Sequence, residues 1–198
     1  LDALLKVHDE GKLTFRELAD LFITLLAGGY DTSKNLLTLI MYYLIERPDD
    51  YERCADDLDF CRKITEETLR YRSVSTAMRQ TTEDVVYRDV LLPAGTMLFF
   101  AIPVALRDPR IVPDADQFDA ERDQELKHMA FGRGAHMCIG QFIARAQVEE
   151  GLHLIAQRLK NPRSPGPDAW RPFFGASGIK GLPIEFDPAP VPLAGGGK

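Results

Sequence analysis

The stretch FGRGAHMCIG, residues 131–140, decides how the rest of this chain is interpreted. Its three glycines leave the backbone without Cβ atoms at Gly132, Gly134 and Gly140, so the chain can approach a large flat group closely. Cys138 stands just before a predicted helix, where free N–H groups and the helix dipole favour a thiolate over a thiol. A stabilised thiolate acts as a nucleophile or as a metal ligand.

Neither role follows from this stretch alone. A nucleophile needs a base and usually an orienting group, and only His136 is near enough in sequence to serve. Zinc takes about four ligands, and the other Cys and His residues lack the spacing of a zinc site. Haem iron needs only one protein ligand. A haem ligand and an inert buried cysteine therefore both stay open at this point.

The remaining pattern predicts a mainly α (α+β) protein. Thr14 and Glu17 form a predicted capping box that opens a long helix, residues 15–46, with apolar residues on nearly every side. Further helices are predicted at 49–57, 59–71 and 139–159. Short strands are predicted at 85–87, 90–92, 96–102 and 182–186, and a Pro-rich loop at 161–172.

Charge and cysteine content exclude several classes of protein. The 198 residues include 24 Lys and Arg against 30 Asp and Glu, a net charge of −6 without a basic block. We therefore expect neither nucleic acid nor a membrane as partner. Leu1 begins no signal-like stretch, and the cysteine pattern gives no disulfide framework, which predicts a cytoplasmic protein. Cys54 and Cys61, about 10 Å apart along a helix, are expected to be too distant to bridge.

Residues 131–140 resemble the signature Phe-Gly-x-Gly-x-His-x-Cys-x-Gly of the bacterial cytochrome P-450 haem-thiolate monooxygenases. Residues 28–33 are similar to the acid–threonine kink of that family's long central helix. Residues 67–70 are similar to its Glu-x-x-Arg motif, and residues 118–122 to the loop that supplies a second arginine. Over residues 1–187 the chain resembles the C-terminal half of the family's fold, with a long central helix, a cysteine-ligand loop and a few short strands.

The resemblance implies haem b (iron protoporphyrin IX), with Cys138 as the axial ligand of the iron. It also implies a widened turn after Gly28, where the hydroxyl of Thr32 is diverted to the backbone. The other implied roles are proton relay by Asp31 and Thr32, haem contacts by Arg79, Phe131, Gly132, His136 and Gly140, and a buried structural charge network of Glu67, Arg70 and Arg122. Arg133 and Arg145 are expected to give a positive surface for an electron donor.

The implied activity is that of a monooxygenase that inserts one oxygen atom from O2 into a small organic substrate. A ferredoxin or flavoprotein would supply the electrons. The alternatives are a truncated haem-binding or interaction module without turnover, or one chain of a two-chain assembly. Residues 1–187 are expected to be the haem-binding part, and residues 188–198 a flexible Pro/Gly tail.

The central helix predicts an interface. In the family, the N-terminal half of the fold covers one side of this helix, so the rest of this chain cannot bury all of its apolar residues. The residues concerned are Leu25, Leu26, Leu36, Leu37 and Ile40. Large apolar patches mark interaction surfaces. We therefore expect pairing with an N-terminal half, self-association through the central helix, or aggregation of the isolated chain.

Overall fold

The computed structural model describes residues 1–122, 128–171 and 177–188. The helices are α1 (Asp2–Asp9), α2 (Phe15–Ile45), α3 (Pro48–Cys54), α4 (Leu58–Tyr71), α5 (Ile102–Ala105) and α6 (Gln141–Arg158). The strands are β1 (Ala77–Gln80), β2 (Val85–Tyr87), β3 (Val90–Leu92), β4 (Met97–Phe100), β5 (Leu159–Arg163) and β6 (Glu185–Pro188). This composition confirms the prediction of a mainly helical protein with a few short strands. No helix within the described ranges is long and apolar enough to cross a membrane.

The predicted capping box starts α2. The N–H of Glu17 donates to the hydroxyl oxygen of Thr14 at 3.2 Å, and the N–H of Thr14 donates to the Glu17 carboxylate at 2.8 Å. These two bonds satisfy backbone donors that have no partner inside the helix. The helix then continues without a break through Gly28 and Gly29. It ends at Ile45, before Pro48 opens α3.

The core lies between the second half of α2 and the helices α4 and α6. Leu39, Ile40 and Leu44 of α2 are fully buried there. The first half of α2 is different, because Leu25 and Leu26 are 52% and 60% exposed. The expectation that the apolar residues of the central helix cannot all be buried is therefore confirmed, and the exposure is confined to one half of the helix.

The strands form three antiparallel pairs, β1 with β4, β2 with β3 and β5 with β6. Sequence reasoning did not predict β1, and it assigned β5 to a loop. Asn161 has φ +48°, and the register of β5 against β6 shifts between Lys160 and Arg163. Such a bulge accommodates Pro162, which cannot donate a ladder hydrogen bond.

Two of the sequence-based boundaries need correction. Pro188, predicted as the first residue of a flexible tail, pairs with Leu159 as the last residue of β6; residues 189–198 lie outside the described residues. Cys54 and Cys61 lie on α3 and α4, not along one helix, and the thiol of Cys61 donates to the carbonyl oxygen of Cys54 at 3.3 Å. The prediction that they lie along one helix is wrong because the chain turns between α3 and α4. Both cysteines are free.

Candidate haem-binding site

The loop of residues 131–140 closes on itself. The N–H of Cys138 donates to the carbonyl oxygen of Phe131 at 2.9 Å, and the N–H of Met137 donates to Gly134 at 3.0 Å. Gly132 and Gly134 have φ values of +74° and +76°, in the left-handed region that favours glycine. The glycines therefore allow the chain to turn back, so that the cysteine backbone lies beside Phe131.

Cys138 differs from the other two cysteines because it is exposed, whereas Cys54 and Cys61 are buried. α6 begins three residues later, with Gly140 as its N-cap. A Cβ on Gly140 would lie 3.9 Å from the Cys138 sulfur, in ordinary van der Waals contact. The described residues contain no group of three or more His, Cys, Asp or Glu that could hold a metal ion. This donor set does not suit zinc, but a single accessible sulfur fits haem, whose iron needs one protein ligand.

Two other predicted haem contacts, Arg79 and His136, are also exposed. Arg79 lies on β1, where its guanidinium donates to the carbonyl oxygen of Met78 at 2.7 Å. It forms no ion pair with a carboxylate of the described residues, so its charge remains available to an anionic group. His136 ends a short 3-10 turn, Gly134–His136, within the loop. No hydrogen bond among the described residues joins either side chain to Cys138.

Asp31 and Thr32 lie side by side on α2, but their polar groups have different partners. The Thr32 hydroxyl donates to the carbonyl oxygen of Gly28 at 2.5 Å, as predicted. The helix nevertheless stays regular there, so the predicted widened turn is wrong for this structure. The physical reason is that a hydroxyl can bond to the carbonyl four residues earlier without interrupting the helix.

Asp31 lies between two cations. Lys34 is 2.9 Å from one carboxylate oxygen, and Arg171 is 2.9 Å from the other. The hydrogen bond from Lys34, and then that from Arg171, lower the pKa of Asp31. The carboxylate is therefore held in its ionised form, and it joins α2 to the segment that contains Arg171.

The structure brings the predicted charge network of Glu67, Arg70 and Arg122 together. The Arg70 guanidinium donates to both oxygens of the Glu67 carboxylate at 2.7 Å, and Arg122 lies 3.7 Å from that carboxylate. The side chains of Glu67 and Arg70 are only 2% and 4% exposed. Arg70 also donates to the carbonyl groups of Leu106, Ala115 and Gln117. The network therefore joins α4 to the long segment between α5 and Arg122.

Sequence reasoning missed a second charge cluster on α4. Glu66 is bonded to His128 and to Arg145, which was expected to belong to a surface for an electron donor. Burial raises the pKa of Glu66, but hydrogen bonds from His128 and Arg145 outweigh it and lower the pKa to about 2. No sequence pattern relates residues 66, 128 and 145, because their contact depends on the tertiary fold alone.

An apolar groove of about 470 Å³ runs between α2 and α6. Its walls include Leu25, Leu26, Tyr30, Leu37 and Ile143. Four of these side chains, all except Leu37, are among the exposed large hydrophobic residues of the structure. The groove thus extends the exposed first half of α2 onto α6.

Comparisons with known proteins agree with this geometry. Luteothin monooxygenase of Streptomyces thioluteus is 35% identical over 188 residues, which cover 94% of this chain and 46% of that protein. The tirandamycin C-bound P450 monooxygenase TamI matches with a TM-score of 0.85 at 29% identity, over 93% of this chain and 48% of TamI. Cytochrome P450 CYP109Q5 from Chondromyces apiculatus matches with a TM-score of 0.81 at 31% identity, over 90% of this chain and 46% of CYP109Q5.

The chain thus spans about half the length of the curated relatives that it matches. The family model named Cytochrome P450 matches residues 1–176. That match includes the Cys138 loop, the Glu67 network and the whole of α2. The chain therefore belongs to the cytochrome P450 family.

Proposed function

We propose that this chain is the haem b-bearing part of a monooxygenase that inserts one oxygen atom from O2 into a small organic substrate. The observation that carries the proposal is Cys138, a single exposed thiol held at the end of a loop by a backbone hydrogen bond to Phe131. Family membership supports the same cofactor. Residues 1–187 form the proposed haem-binding part.

When bound, haem supplies the redox iron at which dioxygen is reduced. In this proposal the Cys138 thiolate holds the iron, and Phe131, Gly132 and Gly140 line the cofactor. Gly132 and Gly140 have no Cβ, so a flat group can approach their backbone closely. The exposed cations on Arg79 and, when protonated, His136 bind the propionates through charge-assisted hydrogen bonds. Glu67, Arg70 and Arg122 have a structural role, because they fix the segment that leads into the loop.

Asp31 and Thr32 are proposed to move protons at the central helix. In this chain the Thr32 hydroxyl has to rotate away from the carbonyl oxygen of Gly28 before it can donate elsewhere. The Asp31 carboxylate likewise has to release Lys34 or Arg171 before it accepts a proton, because both cations stabilise its charged form. Release of Asp31 and rotation of Thr32 are therefore part of the proposed relay.

The proposed partners follow from the open surfaces. A helical segment equivalent to the N-terminal half of the relatives covers the groove between α2 and α6, since the chain matches only about half of those proteins. A ferredoxin or flavoprotein donates electrons, and Arg133, which is exposed within the cysteine loop, contributes to the surface that binds it. Arg145 is expected to contribute less to this surface, because Glu66 binds its guanidinium. A cytoplasmic location, and the absence of nucleic-acid and membrane partners, remain predictions.

Ligation is tested by spectroscopy. The chain is reconstituted with haem b, reduced and exposed to carbon monoxide. We expect the strongly red-shifted Soret band of thiolate-ligated haem, and we expect Cys138→Ala to abolish it. Cys54→Ala removes a different thiol and should keep the band. A histidine-type spectrum of the unaltered chain would contradict the assignment of Cys138.

A haem-binding or interaction module without turnover, or one chain of a two-chain assembly, is the second candidate. Two observations favour this candidate: the chain matches only about half of the relative's length, and the groove between α2 and α6 is open. Substrate-dependent oxygen consumption distinguishes the two functions when it is measured with the chain alone and with an added N-terminal half. Turnover by the chain alone would rule out the second candidate, whereas turnover only in the mixture would indicate an assembly of two chains. Sedimentation of the chain alone tests self-association.

A further inference from the structure

We propose that Glu66, His128 and Arg145 form a brace that positions Phe131 and, through it, the cysteine ligand. We call these three residues the Glu66 brace. The inference rests on the proposed function, because it gives the brace its role through Cys138. The three side chains act as positioning residues and need not touch the cofactor.

The centre of the brace is the Glu66 carboxylate on α4. Arg145 of α6 donates to both of its oxygens, from Nε at 2.6 Å and from Nη2 at 3.2 Å. His128 Nε2 lies 2.9 Å from the oxygen that Nη2 contacts. Such a two-point contact between a guanidinium and a carboxylate fixes the orientation of both groups. The brace thus joins two helices to the residues that immediately precede the cysteine loop.

The hydrogen bonds of His128 define how it acts. The N–H of Ala130 donates to His128 Nδ1 at 3.3 Å, so Nδ1 is the unprotonated nitrogen. Nε2 then carries the proton and donates it to Glu66. The His128 side chain is only 7% exposed, so water competes little for these bonds. Through His128, the carboxylate of Glu66 fixes the backbone at Ala130, one residue before Phe131.

Arg145 provides a second connection to the same place. Its guanidinium carbon lies 4.4 Å from the centroid of the Phe131 ring, within the range of a cation–π contact. The carbonyl oxygen of Phe131 accepts the N–H of Cys138 at 2.9 Å. The two connections from Glu66 therefore end at the neighbouring residues Ala130 and Phe131, and Phe131 holds the backbone of Cys138.

The Glu66 brace is separate from the Glu67 network. Glu67 binds Arg70 and the N–H of Asp119, so consecutive carboxylates of α4 hold different parts of the chain. Another ion pair, between Arg62 and Glu149 at 3.4 Å, also joins α4 to α6. The charge of Glu149 acts on Glu66 and Arg145 through space, but among the described residues Glu149 makes no hydrogen bond to the brace or to the cysteine loop. Glu149→Gln is therefore a control for the loss of one ion pair between these two helices.

The first experiment measures amide hydrogen exchange in the chain without cofactor. Glu66→Gln keeps the side-chain shape but weakens charge-assisted hydrogen bonds, so local opening should become easier. We expect the Cys138 amide to exchange about tenfold faster, with residues 36–44 of α2 unchanged. Glu149→Gln should leave the Cys138 amide unchanged. Unchanged exchange in Glu66→Gln, or equal acceleration in the control, would overturn the proposal.

The second experiment measures the carbonyl spectrum after addition of haem b. The quantity compared is the fraction of bound haem that gives the thiolate-type Soret band. This fraction should fall further in Glu66→Gln than in Glu149→Gln, and Arg145→Lys should lie between them. Arg145→Lys keeps a cation but loses the two-point contact, and it serves as the test if Glu66→Gln does not fold. Equal band shares in these variants and the unaltered chain would contradict the positioning role. If the unaltered chain lacks a thiolate band, the proposed function fails, and the exchange experiment still decides the brace.

Discussion

The two halves of α2 have similar apolar sequences but very different surroundings. In residues 35–44, Leu36, Leu39, Ile40 and Leu44 are at most 2% exposed. In residues 15–30, seven large hydrophobic side chains are among the exposed residues: Phe15, Leu21, Phe22, Ile23, Leu25, Leu26 and Tyr30. The apolar content of a helix therefore does not determine its burial. Burial requires close neighbours, and the buried core that α2 shares with α4 and α6 begins only at Leu36.

Charged groups show the same division. We call α4 and the residues packed against it the closed region. There the Glu67 side chain is 2% exposed, and the guanidinium groups of Arg70 and Arg122 lie on two sides of it. The Asp31 side chain, where α2 becomes open, is 35% exposed although it also contacts two cations. Water and salt screen the second arrangement far more than the first. Similar ion pairs are therefore expected to differ in their effect on stability.

The largest predicted effect is the loss of Glu67. Glu67→Ala leaves the Arg70 guanidinium buried without its counter-charge, which should lower the free energy of unfolding by about 3–5 kcal/mol. Asp31→Ala is the matched change in the open region and should cost less than about 1 kcal/mol. Urea unfolding of both variants measures the difference. Equal losses would show that the Glu67 network behaves as a surface ion pair.

A second prediction compares leucines of α2 directly. Leu39→Ala creates a cavity in the core and should cost about 2–5 kcal/mol. Leu25→Ala removes a side chain that is already 52% exposed and should change stability by about 0.5 kcal/mol or less. Thermal unfolding of the chain alone measures both changes. A large loss for Leu25→Ala would mean that the first half of α2 is covered in solution, for instance by a second copy of the chain.

The sequence predicted those features that depend on nearby residues. The capping box at Thr14 is a local signal and has the predicted structural consequence. The glycines around Cys138 are a second local signal, and two of them, Gly132 and Gly134, adopt left-handed backbones. The family pattern also identified Glu67, Arg70 and Arg122 before their contacts were known. β5 was missed because Pro162 argues against a strand until a partner and a bulge are known.

The other omissions have two causes, long-range contacts and an unusual turn sequence. The sequence separates Glu66 from Arg145 by 79 positions, and nothing in either local pattern indicates their bond. The hairpin between β2 and β3 turns at Arg88 and Asp89, with φ values of +47° and +64°. Neither residue is glycine, so the usual sequence signal for such a turn is absent. Local propensity therefore predicts elements better than it predicts the contacts between them.

A third prediction concerns pH and the closed region. The pKa of Glu66 is about 2 in the folded chain, against 4.5 as its ordinary value. Because the folded-state pKa is depressed, its stabilisation is present above about pH 4.5 and is lost as the pH falls towards about 2. The separation of these two values corresponds to about 3 kcal/mol. Urea unfolding at pH 6 and pH 3 should show a larger loss for the unaltered chain than for Glu66→Gln. Equal losses would mean that Glu66 does not contribute to the acid sensitivity.

The smallest predicted effect compares one substitution in both regions. Asp89 in the exposed β2–β3 hairpin and Asp114 in the segment joined to α4 both have left-handed backbones, with φ +64° and +49°. Glycine removes the steric cost of this backbone conformation, which should stabilise the folded backbone by about 0.5–1 kcal/mol at each site.

The two substitutions should be detected in different measurements. The carbonyl oxygen of Asp114 accepts a hydrogen bond from Arg122, which ties this segment to the Glu67 network. Asp114→Gly should therefore raise the urea midpoint of the whole chain. Val86 and Tyr87 are 70% and 63% exposed, so we expect the hairpin to open independently of the core. Asp89→Gly should therefore slow hydrogen exchange of the hairpin alone. An equal rise of the midpoint in both variants would show that the hairpin unfolds together with the closed region.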